Sequence, residues 1–119
     1  MKIRDSVRIP LTVTVAAGGT GLISTPPVQA GQMLCVQSLA FRNRTGARGT
    51  ATLQIRRLGQ AYPLSDQASP VANLWYNYPY PQYVNEGEVV EVSQASCSTS
   101  DVLDLVIIGY IVYKAEIGG

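Results

Sequence analysis

Apolar and polar residues alternate along most of this chain, which is the pattern of β-strands. Leu11, Val13 and Val15 are separated by two threonines, and alternate side chains of a strand point to opposite faces of its sheet. No segment shows a helical period over ten or more residues, and a single helical turn at 64–68 is the most that the sequence allows. Further strands are predicted at 22–25, 33–42, 50–58, 88–92 and 102–113.

Glycine-rich turns and one internal repeat organise these strands. The turns fall at 17–21 and 44–49. The pattern V-x-x-G-[QE]-x-[LV]-x-V occurs at 28–36 and again at 84–92, each time as a turn glycine followed by the start of a strand. Two such halves predict an all-β fold, a single antiparallel β-sandwich of jelly-roll type with about eight strands and under roughly 10% helix.

The segment 62–83 is the irregular part of the sequence. It contains four prolines, which exclude a helix and a central strand. Long loops of this kind are uncommon in small domains and tend to be functional. We therefore look there first for binding residues.

The charges are divided between the two parts of the chain. Up to Arg57 there are eight basic residues and one acid, whereas from Leu58 onward there are seven acids and one base. Charged residues make up only 14% of the chain, against about 25% in typical soluble domains. Opposite charges can meet inside one subunit or between copies, and such complementarity sets partner choice. The division points toward assembly rather than catalysis.

Little in the sequence favours an enzyme, a metal site or a cofactor. Without any histidine there is no Ser-His or Cys-His nucleophile pair. Cys35 and Cys97 form no metal motif and are predicted to be free thiols. Glu86, Glu88 and Glu91 are read as a solvated acidic rim rather than an acid/base pair. We also expect neither a secretion signal nor a membrane span.

An aromatic cluster is the first candidate binding surface. Tyrosine and tryptophan offer large apolar faces with a polar handle, and they anchor protein interfaces. The same rings can instead cap the open end of the core or stack on sugar rings or on bases. The candidates are Trp75, Tyr76, Tyr78, Tyr80 and Tyr83.

A basic hairpin is the second candidate surface. Arginine is the preferred partner of carboxylates at interfaces, so acidic protein surface is favoured over nucleic-acid phosphates, and no aromatic residues are interleaved with these arginines. The candidates are Arg42, Arg44, Arg48, Arg56 and Arg57.

The segment 1–10 is predicted to be an N-terminal arm or an edge segment, with residues 11–119 forming the single sandwich domain. Pro10 cannot donate a ladder hydrogen bond and marks the expected boundary. As an arm, the segment would dock on a neighbouring subunit through Ile3, Val7 and Ile9; an ordinary frayed terminus is the alternative.

Three stretches carry a resemblance to a known group of proteins. The chain resembles small virion proteins of tailed bacteriophages, most closely the capsid decoration or cement proteins. The stretches that carry the resemblance are, in order, V-x-x-G-Q-M-L-C-V-x-S-L-A-F-R-N-R-T, V-N-E-G-E-V-V-E-V and D-V-L-D-L-V-I-I-G-Y. The resemblance spans residues 28–110.

This resemblance implies a jelly-roll-like sandwich that forms a homotrimer on the outer capsid surface and stabilises the shell. Its partners would be the major capsid protein and its own copies, and it would be made in the host cytoplasm. The alternative is a carbohydrate-binding or other accessory β-sandwich module of a phage head fibre, neck or tail.

Overall fold

The computed structural model describes residues 4–46 and 49–113, and all regular structure in them is β-strand. The expected all-β class is therefore confirmed. The strands of the described residues are β1 (Arg4–Thr14), β2 (Gly19–Ser24), β3 (Gln32–Asn43), β4 (Ala51–Arg57), β5 (Gln60–Gln67), β6 (Tyr76–Tyr78), β7 (Gln82–Asn85), β8 (Val89–Cys97) and β9 (Val102–Tyr113).

The strands form two antiparallel sheets with jelly-roll topology. One sheet has five strands in the order β1-β9-β3-β6, with β7 also pairing with β3; the other has four in the order β2-β8-β4-β5. Each sheet alternates strands from early and late parts of the chain, as two interlocked Greek keys do. The expectation of about eight strands becomes nine because one edge position is shared by β6 and β7, which pair with different parts of β3.

The core lies between the sheets and follows the period of two. Leu103, Leu105 and Ile107 of β9 have no exposed surface, and Ile23 of β2 packs opposite them in the same cluster. Alternate residues of a strand share one face, so each strand contributes every second residue.

The internal repeat marks two equivalent turns. Gly31 and Gly87 have φ angles of 77° and 80°, in the left-handed region that glycine enters without steric cost. The repeats also touch: the amide of Gly87 donates to the carbonyl of Val28 at 2.8 Å, and the amide of Val28 donates to the carbonyl of Glu88 at 3.1 Å. The predicted turn glycines are confirmed, and both turns lie at the same end of the sandwich.

The structure corrects the helical turn allowed at 64–68. Residues 64–67 belong to β5, which pairs with β4 along the edge of the four-stranded sheet, and Ala68 follows it in a bend. Pro63 is accommodated because it lies on an edge strand beside a bulge between Leu53 and Gln54, where a missing N–H costs little.

The structure also changes the interpretation of segment 1–10. Its described part, residues 4–10, is an edge strand, and the boundary expected at Pro10 is absent because β1 pairs with β9 throughout. Proline is tolerated in an edge strand, since its missing N–H can face the open side. Val7 and Ile9 are half-buried and pack against this chain's own core, and a role for them as anchors on a neighbour stays a prediction. Ile3 lies outside the described residues.

Candidate functional site

Two of the predicted arginines converge on one carboxylate outside the five-stranded sheet. Arg42 and Asp104 are register partners on β3 and β9. Nitrogens of Arg42 and Arg44 each lie 2.8 Å from Oδ2 of Asp104, and the Thr12 hydroxyl donates to Oδ1 at 2.7 Å. The hydrogen bond from Arg44, with further ones from Thr12 and Arg42, outweighs burial and lowers the pKa of Asp104 to about 2. The aspartate is therefore ionised at neutral pH.

A second set of pairs lies outside the four-stranded sheet. Nε of Arg56 is 2.8 Å from Oε1 of Glu91, which also accepts a 2.7 Å hydrogen bond from Gln54. Glu91 is only 2% exposed, so this is a nearly buried carboxylate with two donors. Arg57 forms an ion pair with Glu88 at the end of the same strands.

These contacts explain the charge division seen in the sequence. The early strands β3 and β4 lie beside the late strands β9 and β8, so basic residues of the first part face acidic residues of the second within one subunit. Four of the five candidate arginines are engaged in this way; Arg48 lies outside the described residues. A role for these arginines at an interface stays a prediction.

The predicted aromatic cluster divides into two groups. Tyr76 and Tyr78 lie in the cleft between β5 and β6, beside Leu39 and Phe41, where they line a cavity of about 120 Å³. The Tyr76 hydroxyl accepts a hydrogen bond from the amide of Val71 at 2.9 Å. These two rings therefore cap one open side of the core, which was one of the alternatives.

The other three rings are open to solvent. Tyr80 and Tyr83 are 61% and 59% exposed, and Trp75 is 37% exposed. The guanidinium of Arg42 sits 4.5 Å from the centroid of the Trp75 ring, a cation–π contact that fixes the indole beside the Asp104 ion pair.

Sequence reasoning missed an area on the outer side of the five-stranded sheet whose members on β3, β7 and β9 are uncharged, with the exposed Arg8 of β1 beside it as the register partner of Ile108. Ile108 pairs with Ser38, and Val106 pairs with Ala40, so these side chains share the outer side. Ile108 is 45% exposed. We call this area the uncharged face; its members are Ser38, Ala40, Tyr83, Val106, Ile108 and Tyr110.

The run of apolar residues at 105–112 is the signal from which this face could have been found. Such a run is typical of a strand covered on both sides. In the structure one side of β9 packs in the core and the other carries the exposed Ile108.

A second missed feature is Leu58, at the tip of the β4–β5 hairpin. Its side chain is 100% exposed. Leu58 and Gly59 have φ angles of 51° and 79°, the two-residue turn that asparagine and glycine normally supply. A leucine there is both conformationally strained and unburied.

The chemistry expected of the cysteines agrees with the structure. Cys35 and Cys97 are free and buried. Burial is the main cause that raises the pKa of the Cys97 thiol, so this thiol stays protonated and unreactive.

Within residues 4–46 and 49–113 no group of three or more acidic or cysteine side chains is placed to hold a metal ion. The same residues contain no helix that could cross a membrane.

The chain is similar to known proteins in its fold. No known protein family and no curated protein matches the chain. The structure is similar to that of Bacillus endospore appendages, described as disulfide-linked pili, with a TM-score of 0.57, 11% identity, and coverage of 95% of this chain and 89% of that one.

Weaker similarities include a sugar-binding protein, the EclA C-terminal domain, with a TM-score of 0.41, 16% identity, and coverage of 90% of this chain and 79% of that one. The infectious bursal disease virus, Gt strain, has a TM-score of 0.36 and 12% identity, with coverage of 93% of this chain and 31% of that one. At these identities the pilus likeness concerns the fold alone, and the two weaker ones carry no argument. The fold and its surfaces define a jelly-roll β-sandwich whose five-stranded sheet has an open outer side with few charges.

Proposed function

We propose that this chain is a structural, non-enzymatic virion protein that binds the outside of an icosahedral phage capsid and stabilises it as a decoration protein. The observation that carries the proposal is the uncharged face. The resemblance of residues 28–110 to decoration proteins supplies the partner, the major capsid protein, and the location, the capsid surface.

The uncharged face suits a protein partner. Contiguous exposed apolar area marks an interaction site, and the cores of protein interfaces are poor in charged residues and rich in tyrosine. Ile108 and Tyr83 supply exposed apolar area, while Ser38 and Ala40 are small enough to let a partner approach closely. The internal ion pair of Arg42 with Asp104 lies at one border, where its remaining donors can orient a docked surface.

The assembly proposed for this chain differs from the chemistry named for the endospore appendages. The endospore appendages are described as disulfide-linked pili, whereas both cysteines here are buried and free. Association of this chain would therefore depend on packed surfaces rather than on covalent links between subunits.

The first test is physical location. Particles from the virus or culture that encodes the chain are separated on a density gradient and probed with an antibody against the purified protein. We expect the chain to co-sediment with intact capsids in many copies per particle. Its absence from particles would overturn the proposal.

The second test uses two matched substitutions. Ile108 is 45% exposed on the uncharged face, and Leu22 is 47% exposed on the outer side of the other sheet. Ile108→Glu should abolish capsid binding, and Leu22→Glu should leave it unchanged, with both variants keeping the wild-type circular dichroism spectrum. Equal binding by both variants would remove the uncharged face from the mechanism.

A second candidate function is sugar binding, favoured by the cleft between β5 and β6. The cavity there places Tyr76 and Tyr78 beside the polar side chains of Asp66, Gln67 and Asn77, a combination that can stack on a pyranose ring and bind its hydroxyls. Specific signals on a glycan array, lost in Asp66→Ala, would support this function.

A further inference from the structure

We infer that the capsid surface that meets the five-stranded sheet is acidic, and that Arg8 docks against a carboxylate of that surface at the border of the uncharged face. The inference rests on the proposed function and deepens it, because it names the chemistry of the partner and one residue that selects it.

Arg8 lies beside the exposed isoleucine of the uncharged face. It is the register partner of Ile108, which in turn pairs with Ser38, so the three residues form one row across β1, β9 and β3. Directly paired residues of antiparallel strands share one side of the sheet, and Arg8 and Ile108 are both exposed. A surface that covers Ile108 therefore also meets the guanidinium of Arg8.

Arg8 has no counterion within the described part of the subunit. Its side chain takes part in none of the ion pairs of the described residues. The nearest acid in sequence, Asp5, is the register partner of Ile111, which packs against the core, so Asp5 belongs to the opposite side of the sheet. The Asp5 carboxylate accepts a hydrogen bond from the hydroxyl of Tyr113 instead. The charge of Arg8 is therefore left for solvent or for a partner.

The other arginines on this side are neutralised only in part. Arg42 and Arg44 share the single carboxylate of Asp104, whereas Arg56 and Arg57 of the other sheet each have a glutamate of their own. The described charged side chains on the outer side of the five-stranded sheet are Arg8, Arg42, Arg44 and Asp104, an excess of two positive charges. An acidic patch complements this excess.

The positive charges stand at two separate points. From Arg8 to Thr12, which donates to the shared aspartate, β1 advances four residues, about 13 Å, and β3 lies about 10 Å away across two strand spacings. Between the two points lies the row of Pro10, Val106 and Ala40, which carries no charge.

This spacing favours a protein partner over nucleic acid. Each strand of a nucleic acid carries one negative charge about every 3.4 Å of the helix axis, so most phosphates along this path would face uncharged residues. A folded protein can instead present two separate acidic groups around an apolar patch. The partner is therefore assigned as an acidic, partly apolar area of the capsid surface.

Arg8 and Ile108 are expected to act on different steps of binding. Charges at the border of an interface mainly raise the rate of association and its dependence on salt. Apolar contacts at the centre mainly slow dissociation. Arg8 therefore steers and orients the docking surface, while Ile108 holds it.

The first experiment compares Arg8→Gln with Leu22→Glu. Both substitutions lower the net charge by one, and Leu22 is exposed on the outer side of the other sheet. Binding to immobilised particles that lack the chain is followed by biolayer interferometry at increasing salt concentration. We expect Arg8→Gln to associate about tenfold more slowly than the wild type at low salt, with a flatter salt dependence and a similar dissociation rate. Leu22→Glu should match the wild type.

Three results of this experiment would overturn the inference. The first is an Arg8→Gln chain that associates like the wild type at every salt concentration. The second is equal slowing by Leu22→Glu, because net charge rather than Arg8 would then be responsible. The third is wild-type binding to a single-stranded oligonucleotide that is tighter than binding to the particles and is lost in Arg8→Gln, because the arginine would then serve phosphates.

The second experiment identifies the carboxylate. Arg8→Lys keeps the positive charge and adds a primary amine, which a water-soluble carbodiimide couples to a carboxylate in direct contact. We expect peptides in which position 8 is joined to an aspartate or glutamate of the capsid protein, detected by mass spectrometry. Leu22→Lys is the control and should give none. Equal yields at the two positions, or no product from a bound Arg8→Lys chain, would overturn the contact.

The outcome can be separated from that of the proposed function. If Ile108→Glu abolishes capsid binding while Arg8→Gln binds as the wild type does, the acidic partner fails and the decoration role stands. If binding depends on Arg8 but not on Ile108, the uncharged face loses its role and the acidic partner stands. A wild-type chain that does not bind particles overturns both.

Discussion

Nε of Arg56 lies 2.8 Å from Oε1 of Glu91, across the adjacent strands β4 and β8. The glutamate is 2% exposed and also accepts a hydrogen bond from Gln54. A carboxylate in this position is stable only with its donors, because an unpaired buried charge is costly.

We expect Glu91→Gln to lower the free energy of unfolding by about 2 kcal/mol, because Arg56 loses its ionic partner while the side-chain volume is kept. Urea unfolding followed by circular dichroism measures the change. Asp66→Asn is the control, since Asp66 is exposed on β5, and it should change the value by less than about 0.5 kcal/mol. Equal effects of the two substitutions would show that the Glu91 pair adds nothing.

Asp104 predicts a defined acid dependence of stability. Its pKa in the folded protein is about 2, below the ordinary value of 3.8. Because the folded-state pKa is depressed, the stabilisation is complete above pH 4 and is lost as the pH falls toward 2, and it amounts to about 2 kcal/mol. Asp104→Asn should remove this part of the pH dependence in unfolding measured between pH 6 and pH 2. If Asp104→Asn lost stability between pH 6 and pH 2 to the same extent as the wild type, Asp104 would not be the source of this pH dependence.

Gly109 predicts a severe steric effect. A Cβ atom there would lie 2.1 Å from the carbonyl oxygen of Cys35, beside the bulge between Val36 and Ser38. Gly109→Ala should therefore lower the free energy of unfolding by about 3 kcal/mol or more. Gly18→Ala, whose nearest contact would be 3.5 Å, should be nearly neutral. Similar melting temperatures of both variants would contradict the close approach.

Deletion of residues 1–9 tests the edge strand. β1 pairs with β9 from Arg4 onward, and Val7 and Ile9 pack against the core. We expect the deletion to cost about 2 kcal/mol or more of stability, since it exposes these side chains and part of β9. Deletion of residues 1–3 alone removes none of these pairs and is the control. An unchanged melting temperature for the longer deletion would show that the segment is an arm that adds nothing to the stability of the sandwich.

The two thiols should be unreactive in the folded protein. Cys35 and Cys97 are buried, and burial raises the pKa of Cys97. The native chain should react slowly with a thiol reagent such as Ellman's reagent, and both cysteines should react in urea. Rapid labelling of the native chain, or disulfide-linked dimers on a non-reducing gel, would contradict this.

The β-sandwich could be predicted because its signals are local. Alternation in β4 and the turn glycines Gly31 and Gly87 each act through neighbouring residues, and all agree with the final fold. The edge strands were harder: Pro10 and Pro63 are read locally as breaks, yet an edge strand tolerates both. Gly109, a glycine inside an apolar run, is the local sequence feature that marks the bulge between Val36 and Ser38 on the neighbouring strand β3.

The candidate surfaces were predicted less well because they depend on pairing between distant strands. The side chains of Ile108 and Ser38 meet only once β9 has found β3. Likewise the arginines were predicted to bind the acidic surface of a partner protein, whereas the carboxylates that they contact lie on β8 and β9 of the same subunit and follow from the topology, not from spacing. The sequence around Leu58 does not predict that this residue is exposed in a left-handed turn, since Leu-Gly is a common dipeptide in many conformations.

The interleaving of early and late strands has a consequence for biosynthesis. A nascent chain that has reached Arg57 carries its arginines without the carboxylates that later pair with them, and β1 has no hydrogen-bonded partner strand until β9, up to Val112, has left the ribosome. The sheets cannot close progressively, so the polypeptide must fold late and slowly, as chains dominated by distant contacts do. Until then it is an exposed, cationic substrate for chaperones and proteases.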